Sequence, residues 1–166
     1  SSYLRPNIPG INNENVVTAT DVLISKANVK QKVVVVGGGL IGSETATYLG
    51  ENGKDVTLIE QLPFIAEEEE GTRRKYLMEL IEKLGINVMT STKLLEINNQ
   101  GIKIEYNGEV SNIEADTVVL ALGVESNTDL AKALENKVEI KIIGDAVEPR
   151  DALEATREGF LAGANC

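Results

Sequence analysis

The sequence predicts an α/β fold built on a parallel sheet, and one short region carries most of the evidence. Val33–Val36 form an unbroken β-branched run, which is typical of a strand buried on both faces of a parallel sheet. Gly37–Gly39 end this run, and an apolar helical pattern follows over residues 40–52. Gly53 stands where helices favour glycine, and residues 55–59 supply the next strand. A strand, a helix and a strand in this order make a parallel crossover.

The patterns on either side extend this architecture. Residues 1–15 are rich in Pro, Asn and Gly and are expected to form a loop. Thr20 is expected to cap a short helix that ends near Lys26. Further along the chain, apolar spacing predicts helices over 67–84, 129–134 and 151–161, and strands over 86–90, 116–122 and 138–143.

A different pattern interrupts the alternation of helices and strands. Residues 93–97, 102–106 and 109–113 form short apolar-polar runs, and Asn107-Gly108 between the last two is a strong signal for a two-residue hairpin. We therefore expect a three-stranded antiparallel meander on one side of the parallel sheet. The full expectation is a sheet with a helix on each face and this meander beside it.

Composition narrows the possible functions. The chain has 166 residues, a net charge of −10 and no histidine. This acidic balance disfavours nucleic acid and anionic membranes as partners, and no apolar stretch approaches the roughly 20 residues of a membrane span. With Cys166 as its sole cysteine, the chain is not expected to hold a metal or a disulfide. The absence of a secretory leader predicts a cytoplasmic location.

The glycines after the first buried strand form the main candidate site. They match the pattern Gly-x-Gly-x-x-Gly between a strand and a helix, in the stretch Gly37-Gly38-Gly39-Leu40-Ile41-Gly42. In this setting the pattern predicts a dinucleotide site in a Rossmann-like fold, although glycines also serve merely to make a tight turn. A mononucleotide P-loop fits less well because Ser43 stands where that motif needs lysine.

Each part of this stretch has an expected role. Gly37 permits the tight turn, Gly39 lets a pyrophosphate approach the backbone, and Gly42 lets the helix pack closely on the strand. The N–H groups of Leu40 and Ile41, at the start of the helix, are expected to bind the pyrophosphate without any basic side chain. No residue is expected to act as a chemical catalyst, because a nicotinamide cofactor itself carries the hydride.

Glu60, at the end of the second strand, is the candidate ribose ligand. A carboxylate there accepts hydrogen bonds from the adenosine ribose and repels the 2′-phosphate of NADP. The repulsion between two unit charges 4 Å apart is about 1 kcal/mol in water and about 4 kcal/mol at an effective dielectric of 20. No Arg or Lys follows before Arg73 and Arg74, so NAD(H) is the expected ligand. The alternative is an ordinary surface glutamate at a strand end.

Two further positions follow predicted strands. Gly123 ends the strand 116–122, and Gly144-Asp145 ends the strand 138–143. From spacing alone, Gly123 either ends its strand or leaves room for a dinucleotide, and Asp145 belongs to a turn of the kind that Asp favours.

Taken together, these residues resemble the flavoproteins with two dinucleotide-binding domains, the pyridine nucleotide-disulfide reductase-like superfamily. The resemblance rests on Gly37–Glu44 (GGGLIGSE), Thr117–Gly123 (TVVLALG) and Gly144–Asp145. It implies that the first motif binds NAD(P), that Gly123 lies in the connecting motif, and that Asp145 contacts the ribityl chain of FAD. It also implies a place near the nicotinamide for Glu44, for which an exposed helical glutamate is an equal alternative. Ser126 departs from the family pattern, which has proline in that loop.

The flanking segments are similar to one branch of that superfamily. Residues 5–10, 16–23 and 144–150 resemble the C-terminal half of NADH:flavin oxidoreductases of the 2-enoate reductase and 2,4-dienoyl-CoA reductase type. The resemblance implies a longer parent with FAD, and with FMN and a 4Fe–4S cluster in a barrel outside this chain. It divides the chain into an FAD-domain remnant and linker (1–28), an NAD(P)-binding domain (29–143) and a second FAD-domain remnant (144–166).

The expected function is to bind NADH so that hydride passes to FAD and electrons pass on to FMN, which reduces an activated C=C bond. The chain alone is expected to be catalytically incompetent and to depend on the missing FAD and FMN domains as partners. Two alternatives stay open. One is an NADH oxidase or ferredoxin-reductase-type flavoprotein without the FMN barrel, and the other is a non-catalytic NAD-sensing module.

Overall fold

The computed structural model describes residues 1–67 and 69–164, so Cys166 and the end of the expected third segment lie outside the described residues. The chain forms two compact units. The larger unit is Arg5–Leu122, and the smaller comprises Ser1–Leu4 and the chain from Gly123 onward. No helix among the described residues has the length and apolar character needed to cross a membrane.

The helices and strands are numbered in chain order. The strands are β1 (Ser2–Tyr3), β2 (Val16–Thr18), β3 (Lys32–Val36), β4 (Asp55–Ile59), β5 (Asn87–Met89), β6 (Thr92–Asn98), β7 (Gly101–Tyr106), β8 (Glu109–Glu114), β9 (Thr117–Leu120) and β10 (Val124–Glu125). The helices are α1 (Ala19–Leu23), α2 (Leu40–Glu51), α3 (Gly71–Lys83), α4 (Asp129–Leu134) and α5 (Ala152–Ala164), and a 3-10 turn spans Gly144–Ala146.

The larger unit is built on a five-stranded parallel sheet in the order β2-β9-β3-β4-β5. From β3 the chain moves outward through β4 to β5, and it later returns to the opposite side of β3 as β9. The carboxyl ends of β3 and β9 therefore flank a topological switch point, which is where open α/β sheets bind ligands. The α/β prediction with a parallel sheet is confirmed.

The two faces of this sheet are covered differently. Val33 and Val35 point into a core shared with α1, α2 and α3, whereas Val34 and Val36 point into a core shared with the meander. The antiparallel meander β6-β7-β8 is confirmed, and Asn107 and Gly108 both have positive φ, as its tight turn requires. The expectation of a helix on each face is wrong, because the meander takes the place of helices on the second face.

The N-terminal segment is more regular than its composition predicts. β2 pairs in parallel with β9 at the edge of the sheet, a strand that the sequence patterns did not predict. Thr18, not Thr20, caps α1: its backbone is extended and its hydroxyl accepts a hydrogen bond from the N–H of Asp21 at 3.1 Å. α1 ends at Leu23, earlier than expected.

The helix expected over 67–84 also begins later, at Gly71. The segment before it makes contacts with the glycine loop instead, as described below.

The smaller unit contains the antiparallel pair β1–β10, α4 and α5. The prediction of a strand over residues 138–143 is wrong, because those residues form no strand and are exposed. Their apolar side chains, including Val138 and Ile142, match a buried strand in sequence, but a strand forms only where a neighbour pairs with its backbone.

Candidate functional site

The glycine loop lies at the carboxyl end of β3, at the switch point of the sheet. Its backbone continues the hydrogen bonding of the strands: the N–H of Gly37 donates to the carbonyl of Ile59 at 3.0 Å. On the other side of β3, the N–H of Ala121 donates to the carbonyl of Val36 at 2.8 Å. The loop is thus held from both neighbouring strands.

Two glycines of the motif occupy positions that a side chain would disturb. Gly37 has φ of +104°, and a Cβ there would lie 2.4 Å from the carbonyl oxygen of Ala121. A Cβ on Gly42 would lie 1.8 Å from the carbonyl oxygen of Gly37. The first turn of α2 therefore packs directly on the end of β3.

The start of α2 presents backbone donors and no acidic side chain. Gly39 is the N-cap residue, and its carbonyl accepts the N–H of Ser43 at 2.9 Å. The N–H groups of Leu40 and Ile41 belong to the first turn, where a helix offers them no internal acceptor. The Ile41 side chain is 55% exposed, and no acidic residue lies in this turn. This end of α2 can therefore attract an anion.

Glu60 joins the second strand to the glycine loop. Its Oε2 accepts a hydrogen bond from the N–H of Gly38 at 2.5 Å, and its Oε1 accepts one from the N–H of Leu62 at 2.7 Å. This contact was not predicted from the sequence. A signal for it exists, because Val36 pairs with Ile59 in the parallel register and the residues that follow each strand are neighbours.

The segment after Glu60 closes against the loop as well. The N–H of Ala66 donates to the carbonyl of Gly38 at 2.7 Å, and Ile65 is buried so closely that a Cβ on Gly38 would lie 2.6 Å from its Cγ2. Arg74 donates to the carbonyls of Ile65 and Ala66, each at 3.3 Å. Residues 65 and 66 are therefore fixed between α3 and the glycine loop.

Glu44 lies one turn into α2 and pairs with Arg73. Its Oε1 is 2.9 Å from Nη2 of Arg73, whose Nη1 is 3.4 Å from Glu69. The Glu44 side chain is 45% exposed, so solvent screens this pair. The first two arginines after Glu60, Arg73 and Arg74, therefore both have partners within the protein.

The other predicted residues lie in the smaller unit. Gly123 is exposed with φ of +84°, and its carbonyl accepts the N–H of Leu4 at 3.1 Å. Asp145 lies in the 3-10 turn, and its Oδ2 accepts a hydrogen bond from the hydroxyl of Ser1 at 3.1 Å. The structure thus brings Gly37–Gly42 and Glu60 together, with Glu44 nearby on the same helix.

A charged cluster that was not predicted from the sequence supports the turn that contains Asp145. The N–H of Gly144 donates to Glu158 at 2.6 Å, and Arg150 donates to the other oxygen of the same carboxylate. The hydrogen bond from Arg150, followed by that from Gly144, holds the pKa of Glu158 below its usual range. Among the described residues, no group of acidic side chains is arranged to hold a metal ion.

Comparison with known proteins gives relatives along nearly the whole chain. An NADH oxidase from Thermoanaerobacter brockii is 38% identical over 96% of this chain and 26% of its own length. A bilirubin reductase from Mediterraneibacter gnavus is 39% identical over 95% of this chain and 25% of its own length. A cinnamate reductase from Clostridium sporogenes is 32% identical over 92% of this chain and 24% of its own length. The chain thus spans about a quarter of these relatives.

A solved structure agrees with this relationship. The structure of a 2-naphthoyl-CoA reductase in complex with 2-naphthoyl-CoA superposes with a TM-score of 0.88 and 35% identity, over 98% of this chain and 25% of that chain. The model of the pyridine nucleotide-disulphide oxidoreductase family matches residues 1–158. With its parallel sheet, its glycine loop and this match, the chain belongs to the pyridine nucleotide-disulphide oxidoreductase family.

Proposed function

We propose that this chain is the NADH-binding part of a longer flavin-dependent oxidoreductase that reduces an activated C=C bond of the enoate or enoyl-CoA type. One observation carries the proposal. The glycine loop that leads into α2 has free backbone donors at the start of that helix, and the same loop is hydrogen-bonded to the carboxylate of Glu60. Relatives named cinnamate reductase and 2-naphthoyl-CoA reductase support the substrate class.

The pyrophosphate is bound by backbone groups in this proposal. The N–H groups of Leu40 and Ile41 donate to its oxygens, and the positive end of the helix dipole adds attraction. Gly39 leaves the backbone open to approach. The net charge of −10 does not oppose this binding, because the donors are local and uncharged.

Glu60 has the capacity to bind a ribose in addition to its backbone partners. A carboxylate offers about four lone-pair sites, and the N–H groups of Gly38 and Leu62 use two of them. The remaining sites accept the two hydroxyls of the adenosine ribose. Because its backbone partners hold the carboxylate in place, it cannot turn away from a 2′-phosphate.

The neighbouring cations support the same preference for NADH. Arg73 lies between Glu44 and Glu69, and Arg74 donates to the carbonyls of residues 65 and 66. A 2′-phosphate would have to compete with these partners for either guanidinium. Glu44, which resembles the family's acid near the nicotinamide, is then a residue of the nicotinamide end of the site.

The smaller unit contributes to FAD binding in this proposal. The hydroxyl of Ser1 already donates to the carboxylate of Asp145, and a ribityl chain presents donors of the same chemistry. Asp145 therefore fits the role of a ribityl ligand, with Gly123 in the connecting segment. Bound by these residues, FAD would supply the acceptor for hydride from NADH, and FMN and a 4Fe–4S cluster in the rest of the parent would supply the further electron acceptors.

This proposal assigns residues 1–28 and 144–166 to the FAD-binding domain and residues 29–143 to the NAD(P)-binding domain. Because the chain spans about a quarter of its relatives, we expect it to be inactive without the FAD and FMN domains of the parent. A second candidate function is that of an NADH oxidase without an FMN barrel. It is favoured by a shorter relative, an NADH oxidase from Enterococcus faecalis that is 32% identical over 36% of its own length. Turnover by the parent with oxygen and with an enoate as acceptors separates the two functions.

Calorimetric titration of the chain with NADH and NADPH tests the binding proposal. We expect NADH to bind more tightly, and Gly39→Val to abolish binding because its branched side chain fills the place of the pyrophosphate. Gly159→Ala, in α5, is the matched control, because among the described residues the added Cβ would meet nothing within 4 Å beyond its own stretch of helix. Preference for NADPH would contradict the role of Glu60, and unchanged affinity in Gly39→Val would contradict the role of the glycine loop.

A further inference from the structure

We propose that Glu158 is a positioning residue for FAD, acting through the Gly144–Asp145 turn. The inference rests on the proposed function, in which Asp145 binds the ribityl chain. It adds a residue of α5 that neither the motifs nor the resemblance singled out.

The turn depends on its first residue, whose backbone is held at both ends. Gly144 has φ of +60°, a conformation that favours glycine. Its N–H donates to Oε2 of Glu158 at 2.6 Å, and its carbonyl accepts the N–H groups of Val147 at 2.8 Å and Glu148 at 3.2 Å. The hydrogen bond from the N–H of Gly144 to Glu158 ties the turn to α5.

Arg150 keeps the Glu158 side chain in place. It donates to Oε1 of Glu158, which leaves Oε2 directed at Gly144. Its Nη1 is also 3.8 Å from Glu154, one turn earlier on α5, and its Nε is 3.9 Å from Glu148. The side chains of Glu158 and Arg150 are 26% and 33% exposed, so the pair is more shielded than the Glu44–Arg73 pair.

The position of Asp145 follows from these contacts. Asp145 is the residue after Gly144, so a shift of Gly144, whose N–H belongs to the preceding peptide unit, also moves the peptide unit that leads into Asp145. α5 also packs on the turn, since a Cβ on Gly144 would be 3.5 Å from Cβ of Ala155. Glu158 therefore fixes the direction in which Asp145 presents its carboxylate.

A double-mutant cycle in the full-length flavoprotein tests this inference, with the dissociation constant of FAD measured by flavin fluorescence. Glu158→Gln keeps the shape of the side chain and weakens its hydrogen bonds. Asp145→Ala removes the carboxylate that is proposed to bind the ribityl chain. Because hydrogen bonds to a charged carboxylate are stronger than those to a neutral amide, we expect Glu158→Gln to weaken FAD binding about tenfold. In the Asp145→Ala background the same change should add less than about twofold, since residues that act together are not additive.

Glu154→Gln is the matched control, because Glu154 of α5 also pairs with Arg150, whereas the N–H of Gly144 donates to Glu158. It should leave FAD affinity within about twofold, since a long, partly exposed ion pair contributes little to the position of its residues. Equal effects of Glu158→Gln and Glu154→Gln, or additive effects with Asp145→Ala, would overturn the inference. No loss of FAD affinity in Asp145→Ala would instead overturn the proposed role of Asp145.

A second variant covers the case in which Glu158→Gln does not fold. Arg150→Lys keeps the positive charge but loses the planar fork that holds the carboxylate. We expect it to weaken FAD binding several-fold and to shift the amide resonance of Gly144, with NADH affinity unchanged. An unchanged FAD affinity would overturn the inference.

Discussion

The backbone N–H of Gly38 donates to the carboxylate of Glu60 at 2.5 Å. This hydrogen bond links the glycine loop to the end of the neighbouring strand β4. The residue expected to bind a ribose therefore also shapes the loop expected to bind the pyrophosphate. These two roles make the ends of β3 and β4 a single unit of the site.

Replacing Glu60 tests both roles at once. Glu60→Gln places an amide NH₂ against one of two backbone donors, so we expect the free energy of unfolding to fall by about 1–3 kcal/mol. NADH affinity should fall about tenfold, and the preference over NADPH should narrow because the negative charge is removed.

Calorimetry and chemical denaturation measure these changes in Glu60→Gln. Glu51→Gln, at the exposed end of α2, is the control and should change neither quantity. Equal behaviour of the two variants would show that Glu60 is an ordinary surface glutamate.

Gly42 is expected to tolerate no side chain. Gly42→Ala places a Cβ 1.8 Å from the carbonyl oxygen of Gly37 and 3.1 Å from Cβ of Ala121, so α2 must move away from β3. We expect a loss of about 1–3 kcal/mol or more in the free energy of unfolding, together with weaker NADH binding.

Gly159→Ala provides the contrast in a denaturation experiment. Its Cβ would meet no described residue within 4 Å outside its own stretch of helix, and alanine is favoured over glycine in a helix interior by about 1 kcal/mol. Similar stability of Gly42→Ala and the unmodified chain would contradict the close packing of α2 on β3.

Replacing Glu44 distinguishes a structural role of this residue from a role near the nicotinamide. Its ion pair with Arg73 is exposed, so Glu44→Gln should change the free energy of unfolding by less than about 1 kcal/mol. If the side chain lies near the nicotinamide, stopped-flow reduction of the flavin by NADH in the parent should slow. Arg73→Gln breaks the same ion pair and is the control; equal slowing in both variants would assign the effect to the pair.

The Glu158 carboxylate should titrate at unusually low pH. The hydrogen bond from Arg150, then that from the N–H of Gly144, holds its pKa below the ordinary value of 4.5, and Arg157 adds to the effect. Since the folded state holds this proton less tightly than the unfolded state, the stabilisation is present above about pH 4.5 and is lost as pH falls through the lower folded pKa.

An NMR titration that follows the amide of Gly144 measures this value. We expect a midpoint below 4.5, and Arg150→Gln should move it upward. A midpoint at or above 4.5 in the unmodified chain would contradict the contact.

Some features of the protein were determined locally by the sequence. The valine run of β3, the glycine loop, the start of α2 and the Asn107-Gly108 hairpin each depend on residues that are close together in the chain. Hydrophobic period and turn chemistry report such features because their causes act over a few residues. The placement of Glu60 beside the loop also follows from the order of a strand–helix–strand unit.

Other features were decided by the tertiary structure alone. Residues 1–15 have the composition of a loop. The side-chain N–H groups of Asn13 and Asn15 nevertheless donate to the carbonyls of Ile97 and Asn98 in the meander. The next residues form β2, which joins the sheet beside β9. Residues 138–143 have the pattern of a strand but pair with no neighbour. Whether an apolar run becomes a strand, and which face a meander covers, depends on partners distant in the chain, which no local pattern contains.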